Sequence, residues 1–367
     1  MSISIVHYNP IEYYPPVHNL IKYLDLMLKI VVHSTYPNNV TIPNKYSGVK
    51  ILRFSKFRSK TLFMRYFNFF LFTLKSFAYL LRDSPKVILY FETWSCLPVF
   101  LYKIIRPRTS ILVHHHEYTS SVDIKNSPSS QLKFLYKIEK KLLRRISWIS
   151  HTNQERLEMY LEENEISENA VKTVIPNYPP LSWCHSPHEE KKDIIRLVYV
   201  GSLSLENMYI KEVIEWVIKQ NGIFSLDVYS LNIHKPAKDF INGLKSNLVT
   251  FKNGVDYDNL PEVIKNYDVG LVIYKGVSLN YVYNAPNKLF EYWACGLDVW
   301  FSSDLITSKE FVTEGVYPKI LEVNFRELDK FDWQSTIDRK NLDYQPSPYY
   351  CEAVLSELYN QMVKILE

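Results

Sequence analysis

The chain has 367 residues, 47% hydrophobic and 22% charged, with a formal net charge of +4. That is enough chain for two ordinary domains with separate cores, which excludes a small binding module. Residues 1 to 180 carry 24 Lys+Arg against 13 Asp+Glu and residues 181 to 367 carry 19 against 26, so a half at +11 precedes a half at −7, and the basic half suits an anionic partner such as membrane lipid, a phosphorylated acceptor or nucleic acid.

The opening "MSISIVHYNP" lacks the charged start, apolar run and small-residue cleavage site of a secretory leader. Short apolar runs follow at intervals: "ISIVHY" (3–8), "KIVVHS" (29–34), "VKILRF" (49–54), "KVILYFE" (86–92), "SILVHHH" (110–116) and "ISWIS" (146–150). Helix-period segments around 17–27, 61–82, 95–105 and 130–145 separate most of them. Strand and helix alternating in this way predict a mostly parallel sheet covered on both faces, a doubly wound domain.

The segment "TLFMRYFNFFLFTLKSFAYLL" (61–81) is the longest apolar candidate, but Arg65, Asn68 and Lys75 interrupt it, which makes it a poor spanning helix. Two readings stand. In one, Arg53, Lys56, Arg58, Lys60 and Arg65, with the "KIEKKLLRR" cluster (137–145), form a face that rests on an anionic inner membrane leaflet. In the other, Phe67, Phe69, Phe70 and Phe72 pack into the sheet as a core helix and leave the cations solvated.

"HHHEY" (114–118) closes the fifth run. Alternation puts His114 and His116 on one face and His115 on the other, with His116 and Glu117 nearest the carboxyl end. There His116 can hold a sugar hydroxyl or a developing charge while Glu117 orients it or takes a proton; a satisfied histidine pair with a helix-capping glutamate is the plainer alternative. A His-x-His zinc site lacks a third ligand nearby.

The Pro-rich, polar stretch "KTVIPNYPPLSWCHSPHEEKK" (172–192) reads as a linker, after which the alternation restarts: "IIRLVYVGS" (194–202), "FSLDVYS" (224–230), "NLVTFKN" (247–253), "DVGLVIY" (268–274) and "LDVWFSS" (297–303). The expected organisation is an N-terminal domain over 1–179 and a C-terminal domain over 185–346, with a final helix over 347–367 that packs back on the first domain. Two such domains leave a cleft between the carboxyl ends of their strands, where open α/β sheets bind ligands.

Of nine glycines only Gly48 precedes residue 200, and neither GxGxxG nor GxxxxGK[ST] occurs. Gly201 ends the strand of "RLVYVGSLS" ahead of a helical segment, so its bare backbone can approach a phosphate or simply make a tight turn. The Asp256-x-Asp258 pair in "VDYDNLPEV" has the look of a divalent-metal grip on a diphosphate, but Asp258 lies just ahead of a helix start at Pro261 and is read in a capping or turn role. Cys96, Cys184, Cys295 and Cys351 lie far apart with no CxxC spacing, which suits a reducing cytoplasm and no zinc site.

"NAPNKLFEYWACGLDVWFS" (284–302) reads as a turn, a helix opened by Pro286 and closed by Gly296, and an apolar strand. Leu289, Phe290, Trp293 and Ala294 form its buried face. Asn287 and Glu291, four apart, point the same way with Lys288 beside them, and Lys288 and Glu291 are placed on the helix's polar side. The positive helix end with Lys288 suits a diphosphate, and one carboxylate accepting two hydrogen bonds suits a ribose diol. A solvated glutamate in an early helical turn is the alternative.

Taken together, "NPIEYYPPVHN", "HHHEY", "HTNQER" (151–156), "VIPNYPP" (174–180), "YVGSLS" (199–204), "FKNGVDYDNLPEVIKNYDVGLVIY" (251–274) and "NAPNKLFEYWACGLDV" resemble the GT-B-fold glycosyltransferases, particularly the retaining, family 4-like group, over nearly the full length. The last segment is the most specific and looks like "PxKxFEYxAxGxPV". The resemblance implies two Rossmann-like domains facing a cleft, the first holding the acceptor and the second the nucleotide sugar. It implies donor contacts from Gly201, Ser202, Lys211, Asn287, Lys288 and Glu291, with Glu291 on the ribose, and catalytic roles for His116, Glu117 and Lys288. The sequence departs from the family at Tyr283, where a carboxylate eight before Glu291 is common, at Ser202, where arginine is common, and at Asp298, where proline is usual.

The implied activity is transfer of a sugar from a nucleotide diphosphate sugar, itself the donor substrate with no further cofactor and no metal, to a glycan or lipid-linked glycan. The expected setting is cytoplasmic surface-polysaccharide synthesis, peripheral on the inner membrane face. A sugar-nucleotide epimerase of the same fold and a non-catalytic transferase-like partner are the alternatives. No recognised nucleic-acid module is present.

Overall fold

The computed structural model describes residues 3–25, 27–37, 46–57, 61–185, 194–337 and 342–367. The chain divides into two compact units, Met1–Asn177 with Cys351–Glu367, and Tyr178–Tyr350.

In the first unit the β-branched runs become strands β1 (Ile3–Val6), β2 (Ile30–Tyr36), β3 (Val49–Lys56), β4 (Val87–Phe91), β5 (Ser110–His115), β6 (Trp148–His151) and β7 (Val171–Val174). All pair in parallel in the order β3-β2-β1-β4-β5-β6-β7. The order reverses between β1 and β4, so the carboxyl ends of those two strands flank the position where such sheets place ligands. The stretch read as linker begins inside the fold, because 171–174 is the seventh strand; it is half-exposed at the sheet edge, so its run is short and only partly apolar.

The helices are α1 (Pro15–Asp25), α2 (Leu62–Asp83), α3 (Cys96–Ile105), α4 (Ser121–Asn126), α5 (Ser130–Leu143) and α6 (Gln154–Glu163). Side-chain caps fix four of their starts: Thr61 accepts from the Met64 N–H, Ser120 and Asp123 form a capping box, Ser129 accepts from the Leu132 N–H, and Asn153 accepts from the Arg156 N–H. Phe69, Phe72 and Leu80 of α2 join Val99, Tyr102, Leu135 and Leu142 in one core against Val6, Ile88 and Val113 of the sheet. Each such buried side chain contributes about 1.5–3 kcal/mol. Phe67 and Phe70, also expected in that core, face outward.

The second unit holds β8 (Ile195–Val200), α7 (Ile210–Lys219), β9 (Phe224–Ser230), α8 (Lys235–Asn242), β10 (Val249–Asn253), α9 (Leu260–Ile264), β11 (Val269–Val272), α10 (Leu279–Val282), α11 (Asn287–Ala294), β12 (Asp298–Ser302), β13 (Val316–Tyr317), β14 (Ile320–Val323), α12 (Trp333–Ile337) and β15 (Asp343–Tyr344). Its six-stranded sheet runs β10-β9-β8-β11-β12-β14, all parallel, and reverses between β8 and β11. A Cβ on Gly270 would lie 2.1 Å from Cγ of Tyr292, so only glycine on β11 lets that ring lie flat against the strand.

The last helix, α13 (Cys351–Leu366), belongs to the first unit. It packs on α1 with Tyr359 against Tyr23, Glu357 accepts from Thr173, and Lys86 donates to the Leu366 carbonyl. The four cysteines are free thiols. Among the described residues no helix is long and apolar enough to cross a membrane.

Candidate functional site

Three residues leave the carboxyl edge of the first sheet side by side: His7 after β1, Glu92 after β4 and His116 after β5. Glu92 holds φ 60° and ψ 155°, a left-handed backbone that a non-glycine residue adopts at a cost of order 1–3 kcal/mol. Its carboxylate accepts the His116 N–H at 2.6 Å and lies 3.5 Å from Nδ1 of His115, which offsets that cost.

His115 points to the opposite side of β5 from His114 and His116, as alternation dictates, and sits between two carboxylates. Glu92 is 3.5 Å from its Nδ1 and the fully buried Glu139 of α5 is 3.6 Å from its Nε2. Burial works against the imidazolium, yet Glu139 and Glu92 together raise the His115 pKa above its ordinary value. Burial likewise works against the Glu92 carboxylate, but His115 outweighs it and holds that pKa low; burial raises the Glu139 pKa. Tyr90 and Thr93 donate to the two oxygens of Glu139, at 3.2 and 2.6 Å.

His116 is buried, stacks on Phe91 with centroids 5.2 Å apart, and shares a hydrogen bond with His114 at 3.1 Å, which continues to Ser150 at 2.8 Å. Burial depresses its pKa to about 4, so at neutral pH it is an uncharged hydrogen-bonding ring. Glu117 is exposed and acts electrostatically on the buried Arg156 of α6, whose guanidinium donates to the His116 carbonyl at 2.9 Å and to Thr152. Glu92, Glu139 and Arg156 carry this network, and sequence reasoning gave them no role. Glu92 ends an apolar run as any strand-terminal residue does, and Arg156 lies within the quoted "HTNQER" segment.

In the second unit α11 presents Asn287 and Lys288 in its first turn, with Pro286 at the cap and no side-chain cap hydrogen bond. Glu291 corrects the expectation of a polar-side residue: it is 0% exposed, with Oε2 2.5 Å from Lys288 Nζ and Oε1 without a hydrogen-bond partner among the described residues. Solvation therefore does not explain it. A buried carboxylate oxygen with no donor is unusual enough to require a cause.

Gly201 and Ser202 follow β8 at the reversal point. A Cβ on Gly201 would lie 2.9 Å from the Tyr199 hydroxyl, which itself donates to the Ser202 carbonyl at 2.7 Å, so close packing accounts for the glycine. The Tyr292 hydroxyl accepts the Val200 N–H at 3.0 Å and so ties α11 to this same edge. Lys211 is 53% exposed on α7 and pairs with Glu215 at 3.8 Å, with no contact to Lys288 or Glu291. Lys275, on the segment after β11, reaches the loop after β8, where it donates to the Leu205 carbonyl at 3.1 Å, and pairs with Glu212 at 3.1 Å.

Asp258 takes the turn role of the two expected for it: it lies inside a 3-10 turn, and Asn259 holds the cap position of α9. Among the described residues no group of three His, Cys, Asp or Glu side chains has the geometry to hold a metal ion.

No family model and no curated protein matches the sequence. Solved structures do match along the whole chain. A sucrose-phosphate synthase from Thermosynechococcus elongatus shares 16% identity at a TM-score of 0.65, covering 99% of each chain. Anabaena HepE, solved in complex with UDP and glucose, shares 13% at 0.64, covering 100% of this chain and 99% of its own. A UDP-GlcNAc 2-epimerase from Methanocaldococcus jannaschii shares 14% at 0.59, covering 99% of this chain and 100% of its own. At these identities the likeness establishes the fold, two parallel-sheet α/β units of GT-B type.

Proposed function

We propose that the chain is a retaining, family 4-like hexosyl- or related glycosyltransferase that uses a nucleotide diphosphate sugar and acts on a glycan or lipid-linked glycan in surface polysaccharide synthesis, at an anionic cytoplasmic membrane face. The observation that carries this reading is Glu291: buried, one turn into α11, paired through one oxygen to Lys288 in the first turn and undonated at the other. A ribose diol supplies the missing donor, while Lys288 and the free N–H groups of the helix end stabilise the departing diphosphate as its charge develops. The backbone at Gly201 and Ser202 approaches the phosphates, and Asn287 shares the face of Glu291. Neutral His116, with Glu117 at the rim, holds hydroxyls of the transferred sugar and the acceptor.

A thermal-shift screen of UDP-, GDP-, CMP- and dTDP-sugars tests this, because a ligand that binds only the native state raises its stability by about 2.7 kcal/mol at a hundred times its Kd. For the nucleotide that responds, Glu291→Ala should weaken binding by about 1.5–3 kcal/mol, roughly tenfold to hundredfold, by calorimetry. Unchanged affinity in a folded variant removes Glu291 from the donor site.

The cationic helix end also takes the place of a divalent ion. Turnover should therefore be the same in EDTA as with magnesium or manganese. An absolute requirement for either ion would reinstate Asp256 and Asp258 as ligands.

One observation favours a second reading, a sugar-nucleotide epimerase: His7, Glu92 and His116 leave neighbouring strands at the carboxyl edge of the first sheet, where such chemistry needs acid-base groups. Incubation with the donor alone separates the candidates by NMR. A second epimer of the nucleotide sugar marks an epimerase, slow donor hydrolysis marks a transferase, and neither marks a non-catalytic partner.

A further inference from the structure

Helix α2 carries two stripes. Phe69, Phe72, Ser76 and Leu80 face the sheet, whereas Phe63, Phe67, Phe70 and Leu74, spaced four, three and four apart, face away from it and are exposed. Phe63 is 75% and Phe70 59% exposed, and from 61 to 67 every residue is exposed, so the first turns of the helix project from the unit. On the neighbouring α5, Phe134, 52% exposed, shares its face with Lys137 and Lys141, three and seven residues on. The two helices meet at Tyr66 and Ser130, whose hydroxyls are 3.5 Å apart, above a shallow groove of about 390 Å³ lined by Tyr66, Phe69, Phe70, Leu97 and Phe134. Helices that follow strands of a parallel sheet begin at its carboxyl edge, so this face adjoins the edge that carries His7, Glu92 and His116.

We propose that the outer face of α2 and α5 docks on an anionic phospholipid bilayer, with Phe63, Phe67 and Phe70 inserted and Lys137 and Lys141 among the headgroups. An apolar stripe this long on one helix exceeds scattered surface hydrophobics and marks an interaction surface. Charge selects the partner. Arg65 and Lys75 of α2 and Lys137 and Lys141 of α5 are exposed, whereas the acids of these two helices are Asp83, at the far end of α2 and paired to Arg82, and the buried Glu139. A second copy seated on the same patch would set basic against basic, which favours an anionic surface instead. Leu62, Met64 and Leu74 among the aromatics suit acyl chains, since aliphatic side chains offer no stacking plane for nucleic-acid bases.

This surface differs from the one read in the sequence. Arg53 turns inward, paired to Glu12 and donating to the Thr35 carbonyl at 2.9 Å, and Arg58 and Lys60 lie outside the described residues. The proposal rests on the transferase reading only for the purpose of the contact, which is to bring the acceptor edge to a lipid-linked glycan.

The test is sedimentation of the full chain with phosphatidylglycerol vesicles and with phosphatidylcholine vesicles. The protein should pellet with the first at low salt, remain in solution with the second, and be released as salt rises. The triple variant Phe63→Ser, Phe67→Ser, Phe70→Ser should lower the partition coefficient at least about tenfold. Lys137→Glu with Lys141→Glu should lower it too and flatten the salt dependence. Both variants alter exposed residues and should keep the parent's melting temperature and nucleotide affinity. A parent that stays in the supernatant overturns the proposal, as does a triple variant that pellets like the parent. A parent dimer in light scattering that the triple variant dissolves assigns the stripe to a second copy. Vesicle binding without nucleotide binding would leave the surface standing and remove the transferase reading.

Discussion

Acidification from about pH 7 to about pH 5.5 is expected to unfold the first unit. Burial holds the pKa of His7 at about 3 and those of His33 and His116 at about 4, and it pushes those of His114 and His151 well below the ordinary value. The sign follows from proton binding. In the unfolded chain these histidines take up protons below about pH 6.5 while the native state does not, so stability falls with pH by about 1.4 kcal/mol per histidine per pH unit. Five of them amount to about 7 kcal/mol at one unit below 6.5, comparable with the whole stability of a domain. His115 has the opposite sign: its raised pKa gives a contribution that is present in acid and lost as pH rises through the folded value, so it does not add to the acid loss. Urea unfolding followed by circular dichroism at several pH values measures the slope. His33 isolates one member, because neither ring nitrogen has a hydrogen-bond partner among the described residues and its ring packs edge-on to Phe54 and Tyr79. His33→Phe should flatten the slope by about one fifth. A stability that is flat down to pH 5 would mean that these rings are charged or solvated.

The sheets were legible because their strands are apolar runs bounded by turns, and burial on both faces leaves little other solution for "KVILYF" or "VGLV". The outer face of α2 was not legible. Phenylalanine occurs on both stripes of that helix, so composition cannot say which stripe meets the sheet, and only the packing of Phe69 and Phe72 on Tyr8 decides it. Glu92 was hidden for another reason: nothing in the residue type announces a left-handed backbone, which the surrounding hydrogen bonds impose. For Asp258 the sequence left cap and turn open, and the 3-10 turn over Tyr257–Asn259 decides it, leaving the cap position of α9 to Asn259. Glu291 shows how far a motif reaches. The spacing set Asn287, Lys288 and Glu291 on neighbouring positions of one short helix, while propensity placed the glutamate in water, and the packing of α11 buried it.

That burial makes Lys288 and Glu291 unequal partners. Lys288→Ala is expected to cost the second unit about 3–5 kcal/mol, because it leaves a fully buried carboxylate with no counter-charge and with both oxygens undonated. Glu291→Ala should cost less, about 1–2 kcal/mol, since the 17% exposed lysine keeps a path to water along its flexible stem. The double variant should recover most of what Lys288→Ala loses, which no additive pair of substitutions would do. Denaturant midpoints of the three variants measure the cycle. If Lys288→Ala is no more costly than Glu291→Ala, the carboxylate is held by something other than the lysine. If the predicted inequality holds, the unit keeps a destabilising acid one turn into α11 and tolerates it only through one neighbour, the pattern expected where a carboxylate is retained for a ligand and not for the fold.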